Sequence, residues 1–306
     1  AEVIERKDLL HRGKGYALAF GVDYLRQSPP DVVMVVDADC LLSPGALEKA
    51  ASACHASGRP VQMLDLMQAP RQGPLKLRIM EFAMVMKNLI RPLGTMRLTD
   101  SCHLMGTGMA LPWNALSNAT LATGHVAEDM QLGIELARAG CVPQLLLDAQ
   151  VSSRFVQDLG VARIQKSRWE HGHLALLRQQ LGPLLIQAIT QRNRALAGLA
   201  LDLMIPPLAL YTLVLGGALA LALLAAIAGI PAWPATAVLA MGNVCLALAV
   251  WMAWWKHGRA LISCRELLSL PLYAAWKLPV YLAYLIGDRS TWVRTRRTGE
   301  WRGGAR

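Results

Sequence analysis

The chain has 306 residues, 54% of them hydrophobic and only 17% charged, with a mean hydropathy of +0.33. Its 31 Lys and Arg against 21 Asp and Glu give a formal net charge of +10. Because the charges concentrate before about residue 200 and again near the end, a wholly soluble chain is excluded, and a soluble half followed by a membrane half is expected.

The basic excess is compatible with nucleic acid, anionic lipid or an anionic substrate. Placement favours the last two. Arg178, Arg192, Arg194, Lys256, Arg259, Arg265, Arg289, Arg294, Arg296 and Arg297 flank apolar segments, where they would meet a negative cytoplasmic leaflet. No zinc-finger spacing or aromatic-and-basic RNA signature is present, so nucleic acid is not expected as a partner. Six scattered cysteines without a Cys-x-x-Cys pair read as reduced, small hydrophobic residues.

In chain order, Tyr16, Leu18, Phe20, Val22 and Leu25 predict a helix from Lys14 to Arg26, stopped by Ser28-Pro29-Pro30. The β-branched run Val32 to Val36 predicts a buried parallel strand that delivers Asp37-Ala38-Asp39 at its carboxyl end. Ser43 is the expected N-cap of the next helix, with Pro44 at its first position. A strand from Val61 to Met67 and a Met-rich helix from Leu75 to Ile90 follow, ended by Pro92-Leu93-Gly94. This helix and strand alternation predicts an α/β fold with a mainly parallel sheet. A Gly-rich segment at Gly106-Thr107-Gly108, a helix entered through Glu128-Asp129, and a helical stretch from Leu159 to Leu181 come next.

Two apolar stretches, about 203–230 and 233–255, are long enough to span a bilayer. The uncharged turn Pro231 to Pro234 belongs outside and the basic flanks in the cytoplasm. A third stretch, about 267–286, is broken by Pro271, Lys277 and Pro279 and is expected to lie in the interface or re-enter, with Lys277 reaching toward phosphates. Asp202 is read as an interface residue at the lip of the first span. His171 and His173, two apart on a helix, face different ways and predict no shared metal site.

Two aspartates one residue apart at the end of a buried strand repel each other unless a cation neutralises them, and a hard divalent ion bridging to phosphate does so. Taken alone the pair could equally cap a turn. Glu128 and Asp129 could be dipole partners of a helix N-terminus or could hold a proton-accepting carboxylate. An Arg168 fork suits pyrophosphate and the Trp169 indole suits a sugar, although the pair could also anchor at a membrane surface.

The ordered set Gly13-Lys14-Gly15-Tyr16-Ala17-Leu18, Asp37-Ala38-Asp39, Gly106-Thr107-Gly108-Met109, Ala127-Glu128-Asp129 and Gln165-Lys166-Ser167-Arg168-Trp169 resembles the motifs of family 2 glycosyltransferases. The likeness covers about residues 10–180. It is closest to the membrane-bound branch of cellulose, hyaluronan and poly-N-acetylglucosamine synthases and bacterial exopolysaccharide transferases. The resemblance implies a GT-A-like, mostly parallel sheet with flanking helices, followed by transmembrane helices. It divides the chain into a partial GT-A domain (1–158), interface helices bearing the Gln-x-x-Arg-Trp motif (159–198) and a membrane region (199–306).

It also implies roles. Asp129 would be the general base, supported by Glu128. Lys14, Asp37, Asp39, Gln165 and Arg168 would bind the nucleotide-diphosphate donor, with Asp39 holding Mg2+ or Mn2+. Gly106, Thr107, Gly108 and Trp169 would border the acceptor. The family's first strand and base-recognising Asp lie upstream of the Lys14 motif and have no counterpart, so an N-terminally truncated domain is expected. Ala127 stands where Thr is common, and Lys166 where another residue is. The implied activity is inverting transfer from a nucleotide-diphosphate sugar, a UDP-sugar foremost, to a lipid-linked or polysaccharide acceptor at a bacterial inner membrane, with the catalytic domain cytoplasmic. The alternatives are a single-sugar transferase to polyprenyl phosphate or lipid, and a catalytically inactive scaffold.

Overall fold

A computed structural model describes residues 2–8, 10–11, 13–70, 72–155 and 159–286. The basic tail from Arg289 and the Lys166 side chain, on which expectations were placed above, lie outside the described residues. The chain divides into two compact units. Among the described residues, the first joins the chain up to Gln68 with Lys87–Met204, and the second joins Ala69–Met86 with Ile205–Ile286.

In the first unit, helix α1 (Lys14–Leu25) precedes strand β1 (Val32–Val35) and the short strand β2 (Leu41–Leu42). Helix α2 (Ala46–Ser57) and strand β3 (Val61–Gln68) follow. Later come β4 (Met109–Pro112), the single-turn α5 (Trp113–Leu116), α6 (Glu128–Arg138), β5 (Gln144–Arg154), α7 (Leu159–Thr190) and α8 (Arg194–Met204).

The five strands lie in the order β1-β4-β3-β5-β2. The expectation of a mainly parallel sheet is corrected: β3 pairs β5 in parallel, whereas β1 with β4, β3 with β4 and β2 with β5 are antiparallel. The reason is insertion. β1 and β3 point the same way, as a strand-helix-strand unit requires, but β4 returns from the Gly106–Gly108 segment and takes the place between them. On β4, alternate side chains face opposite layers. Met109 and Leu111 join Val22, Leu132 and Leu136 against α1 and α6, and Ala110 joins Ala50, Cys54 and Val61 against α2. Helices therefore cover both faces of the sheet and fix where its strand ends emerge.

Two helix boundaries differ from expectation. Ser43 does not cap α2: its Oγ accepts from the Gln150 N–H at 3.1 Å and its own N–H donates to Gln150 O at 2.9 Å, so it extends the β2 pairing, and α2 begins after Gly45. Nor does Pro92 end the Met-rich helix. Helix α3 (Leu75–Val85) passes into a π-helical turn (Met86–Ile90) and then α4 (Arg91–Thr99), with Pro92 in its first turn. The widened turn disrupts the regular i to i−4 ladder just where proline lacks its N–H, so the ring is accommodated.

In the second unit, α9 (Leu208–Ile227) and α10 (Trp233–Ala253) are the two helices among the described residues long and apolar enough to cross a membrane. The first begins later than expected because Pro206 and Pro207 separate it from α8. After a π turn (Trp254–Gly258), the third apolar stretch breaks into α11 (Cys264–Leu267), α12 (Leu270–Trp276) and α13 (Leu278–Ile286). Pro271 and Pro279 each sit second in their helix, where a missing N–H costs nothing. Lys277, expected to reach toward phosphates, is instead buried, with its ammonium 5.8 Å from the Tyr281 ring centroid. Lys277 is thereby withdrawn into the unit.

Candidate active site

The carboxyl end of β1 releases Asp37 beside the start of α1. Lys14 Nζ donates to Asp37 Oδ1 at 2.5 Å and to Gly106 O at 2.7 Å, which joins three of the sequence motifs at one ammonium group. The Asp37 N–H donates to Thr107 Oγ1 at 3.1 Å, a second tie between the same two loops.

Glycine is required in that loop for steric reasons. Gly106 and Gly108 have φ of 91° and 65°, in the left-handed region. A Cβ on Gly106 would lie 3.1 Å from Asp129 Oδ2, and one on Gly108 only 2.6 Å from Val151 Cγ1. The first contact brings a fourth motif to the same place: the Asp129 carboxylate rests directly against the Gly106 backbone. Lys14, Leu18, Gly106, Thr123, Glu128 and Asp129 line a common pocket.

The loop is held from beneath by Gln62, a fully buried β3 residue. Its Nε2 donates to Thr107 O at 2.8 Å and its Oε1 accepts from the Met105 N–H at 2.7 Å. The β3–β5 register shifts between Met63 and Leu64, and beyond that irregularity the strand carries Asp65, which is 6% exposed. Asn88, on the π turn, donates to Asp65 O at 3.0 Å and to Oδ2 at 3.1 Å, while Oδ1 has no hydrogen-bond partner among the described residues.

Burial, opposed in part by Lys87, raises the Asp65 carboxyl from 3.8 to about 7. Burial raises Asp129 as well, with Lys87 and the Met130 N–H opposing it. Glu128 is raised by burial and by its neighbour Asp129. In each case burial is the first cause, so the three carboxyls are held toward their neutral, protonated form.

Asp37, Asp39 and Cys40 each offer a ligand atom, all within 4.8 Å of one another. Two carboxylate oxygens at that spacing fit a hard divalent cation. The Cys40 thiol, which accepts from Thr107 Oγ1 at 3.5 Å, is the softer third donor and is pushed up by burial.

Gln165, Arg168 and Trp169 are half-buried on α7. Among the described residues no hydrogen bond joins them to the Lys14–Asp37–Gly106 group. What does bring α7 near is Gly172, one turn further on, whose added Cβ would lie 3.1 Å from Val126 and 3.4 Å from the Ala127 N. The helix therefore passes the entrance to α6, where Glu128 and Asp129 begin. His173 is buried and held neutral, pushed down to about 3 chiefly by burial, while His171 Nε2 lies 3.5 Å from Ser167 Oγ. Asp202, read as an interface residue at the lip of the first span, lies on α8 ahead of α9 and pairs with Arg91 at 2.9 Å, 3.8 Å from His103 Nε2.

Residues 32–255 match glycosyl transferase family group 2. The chain belongs to this family. No curated protein matches it. As a family group 2 glycosyl transferase it is a transferase, acting between a nucleotide-sugar donor and an acceptor, and divalent metal is common among such enzymes. The match begins at β1 and therefore takes in the Asp37, Gly106, Glu128 and Gln165 motifs. The mixed α/β architecture is consistent with the GT-A fold of the family.

Four residues of this site escaped the motifs. Gln62 and Asp65 carried one signal, being polar residues inside an otherwise apolar strand. Lys87 and Asn88 carried none, because the π turn that turns them toward β3 has no sequence signature of its own.

Proposed function

We propose that this chain is an inverting glycosyltransferase of the membrane-bound branch that includes polysaccharide synthases. It would move a sugar from a nucleotide-diphosphate donor, foremost a UDP-sugar, to a hydroxyl of a lipid-linked or polysaccharide acceptor at the inner membrane of a bacterium. The observation that carries the reading is the meeting of Lys14, Gly106 and Asp129 around one pocket, with Asp37 joined to them through the Lys14 ammonium.

In this reading Asp129 takes the proton of the acceptor hydroxyl as that oxygen attacks the anomeric carbon from the face opposite the leaving diphosphate, which inverts the centre. Burial raises its proton affinity toward that task. Glu128 adds negative charge beside it. The Gly106–Gly108 segment, whose two glycines carry no side chain and whose Thr107 side chain is buried, admits the acceptor, with Trp169 at its border, while Lys14, Gln165 and Arg168 hold the donor. A divalent cation, Mg2+ or Mn2+, held by Asp39 with Asp37 and Cys40 adjacent, would neutralise charge on the diphosphate.

The domain reading, a catalytic part over 1–158, interface helices over 159–198 and membrane helices over 199–306, follows from the same assignment. The catalytic part faces the cytoplasm, supported by Arg192, Arg194 and Lys256 on the flanks of α9 and α10 and by the uncharged turn between them.

The test is direct. The full chain in membranes is given radiolabelled UDP-sugars with Mn2+ and a lipid extract as acceptor. Transfer of label to lipid or polymer, abolished by Asp129→Asn, is expected. If every donor remains intact with every acceptor, and calorimetry finds no saturable UDP binding with Mn2+, the inactive-scaffold alternative replaces this one. The length of the product then separates polymer synthesis from single-sugar transfer.

A further inference from the structure

Helix α3 lies in the sequence between β3 and the Gly106–Gly108 loop, yet it belongs to the second unit, and its contacts there are specific. Arg78 forms a two-pronged ion pair with Glu266, at 3.1 Å through its Nη1, and also donates to Leu261 O at 3.2 Å. Phe82 sits so close to Gly258 that a Cβ there would lie 2.7 Å from its ring. Ser263 and Glu266 close a reciprocal cap on α11, and Trp254 Nε1 donates to Ile262 O at 2.8 Å. The segment after α10 is thus tightly built rather than a loose tail.

Four exposed cations stand on this assembly: Lys76, Lys256, Arg259 and Arg265. Two of them lie on exposed indole faces, with Lys76 Nζ 4.0 Å from the Trp276 centroid and Arg259 Cζ 4.3 Å from that of Trp255. The acidic residues among the described residues of this unit are Glu81 and Glu266. The first accepts from the Ala69 N–H at 2.9 Å and the second is matched by Arg78, so neither neutralises the four. In contrast, the turn joining α9 to α10, residues 228–232, carries no charge. Positive charge paired with tryptophan at one end of a spanning hairpin is the arrangement that meets lipid phosphate, the indole taking the glycerol and acyl boundary and the cation the headgroup.

We propose that Lys76, Lys256, Arg259 and Arg265, with Trp255 and Trp276, form a binding surface for the phosphate headgroups of anionic phospholipid, and that α3 is one of its elements. The proposal is independent of the transferase reading. It makes α3, by chain order part of the catalytic half, a membrane-contacting element.

The full chain, extracted from membranes and exchanged into micelles containing equal phosphatidylglycerol and phosphatidylcholine, is weighed intact by native mass spectrometry. The wild type should retain phosphatidylglycerol preferentially. Lys76→Gln and Arg259→Gln should each reduce the preference by roughly fivefold, the worth of one cation near an anionic surface. Phosphatidylcholine retention, unchanged in the variants, reports that the helices remain assembled, and Trp255→Leu gives a second variant that leaves charge intact and should also lower retention. Equal retention of the two lipids by the wild type, or a preference undiminished in the Lys76→Gln, Arg259→Gln double variant, would overturn the proposal.

Discussion

Lys14 Nζ reaches Asp37 Oδ1 at 2.5 Å across 23 positions of sequence, and the same ammonium caps Gly106 O. One side chain thus ties the start of α1, the end of β1 and the Gly106–Gly108 loop. Lys14→Met is expected to leave the fold intact, because the group is part-exposed, while weakening UDP binding about tenfold through loss of a charge-assisted contact. Isothermal calorimetry in the presence of Mn2+ measures it, and an unchanged affinity would remove Lys14 from the donor site.

Asp39→Ala should abolish the metal dependence of donor binding, since it deletes a hard oxygen from the Asp37–Asp39–Cys40 group. The informative control is the Mn2+ electron paramagnetic resonance signal, which should report free ion in the variant and bound ion in the parent. A bound signal in both would move the metal site elsewhere.

Asp129→Asn separates binding from chemistry. The amide keeps the shape but cannot accept a proton, so kcat should fall by about 10² to 10⁴ while UDP affinity stays within a factor of two or so. Turnover close to the parent's would require a different base.

Gly108→Ala is predicted to destabilise the first unit by about 1 to 3 kcal/mol, from positive φ together with the collision at Val151. A thermal midpoint lowered by several degrees is expected, whereas Gly94→Ala, where nothing lies within 4 Å, should be silent or mildly stabilising. Equal midpoints for the two variants would contradict the geometry.

Asp65 gives the protein a pH dependence of known sign. Its folded-state value of about 7 lies above the ordinary 3.8, so between those values the folded state binds more protons than the unfolded one. The stabilisation is complete below about pH 4 and is lost as pH rises through about 7. Asp65→Asn should remove that component, on the order of 4 kcal/mol, and flatten the melting temperature between about pH 4 and pH 7. A variant whose melting curve keeps the parent's slope would mean the carboxyl is charged when folded.

Topology follows from charge placement. Cysteines introduced at Ala232 and Ser290 in a background lacking the native six are probed with a membrane-impermeant thiol reagent on intact cells. Position 232 should label and position 290 should not. The reverse result would invert the orientation, and labelling at both would make the stretch 267–286 a third span.

Much of this was legible in the amino-acid order. The helix at Lys14, the strand leading to Asp37, the entry to α6 at Glu128 and the two long apolar helices all follow from local pattern, because each depends on neighbours a few residues away, although the strand expected to be buried is only half-buried. What was not legible depends on partners far along the chain. Ser43 looked like a cap until Gln150, more than a hundred positions on, offered its backbone. The antiparallel insertion of β4 turns on its pairing with both β1 and β3, strands more than forty positions away, which no local pattern encodes. The Asp65 and Asn88 pairing rests on a π turn, a defect of helix geometry rather than a motif. The resemblance assigned roles to Asp129 and Lys14, but only the folded chain brings them to the same glycine.

The division of the chain into two units has a practical corollary for anyone wishing to isolate the catalytic half. Since α3 is threaded through the middle of that sequence yet packs with residues after Ile205, no single cut separates the halves cleanly. A fragment ending at Met204 would carry α3 without Gly258 or Glu266, baring Phe82 and stranding Arg78. Such a fragment is expected to aggregate, and the enzyme should be purified whole, in detergent or nanodiscs, rather than trimmed to a soluble core.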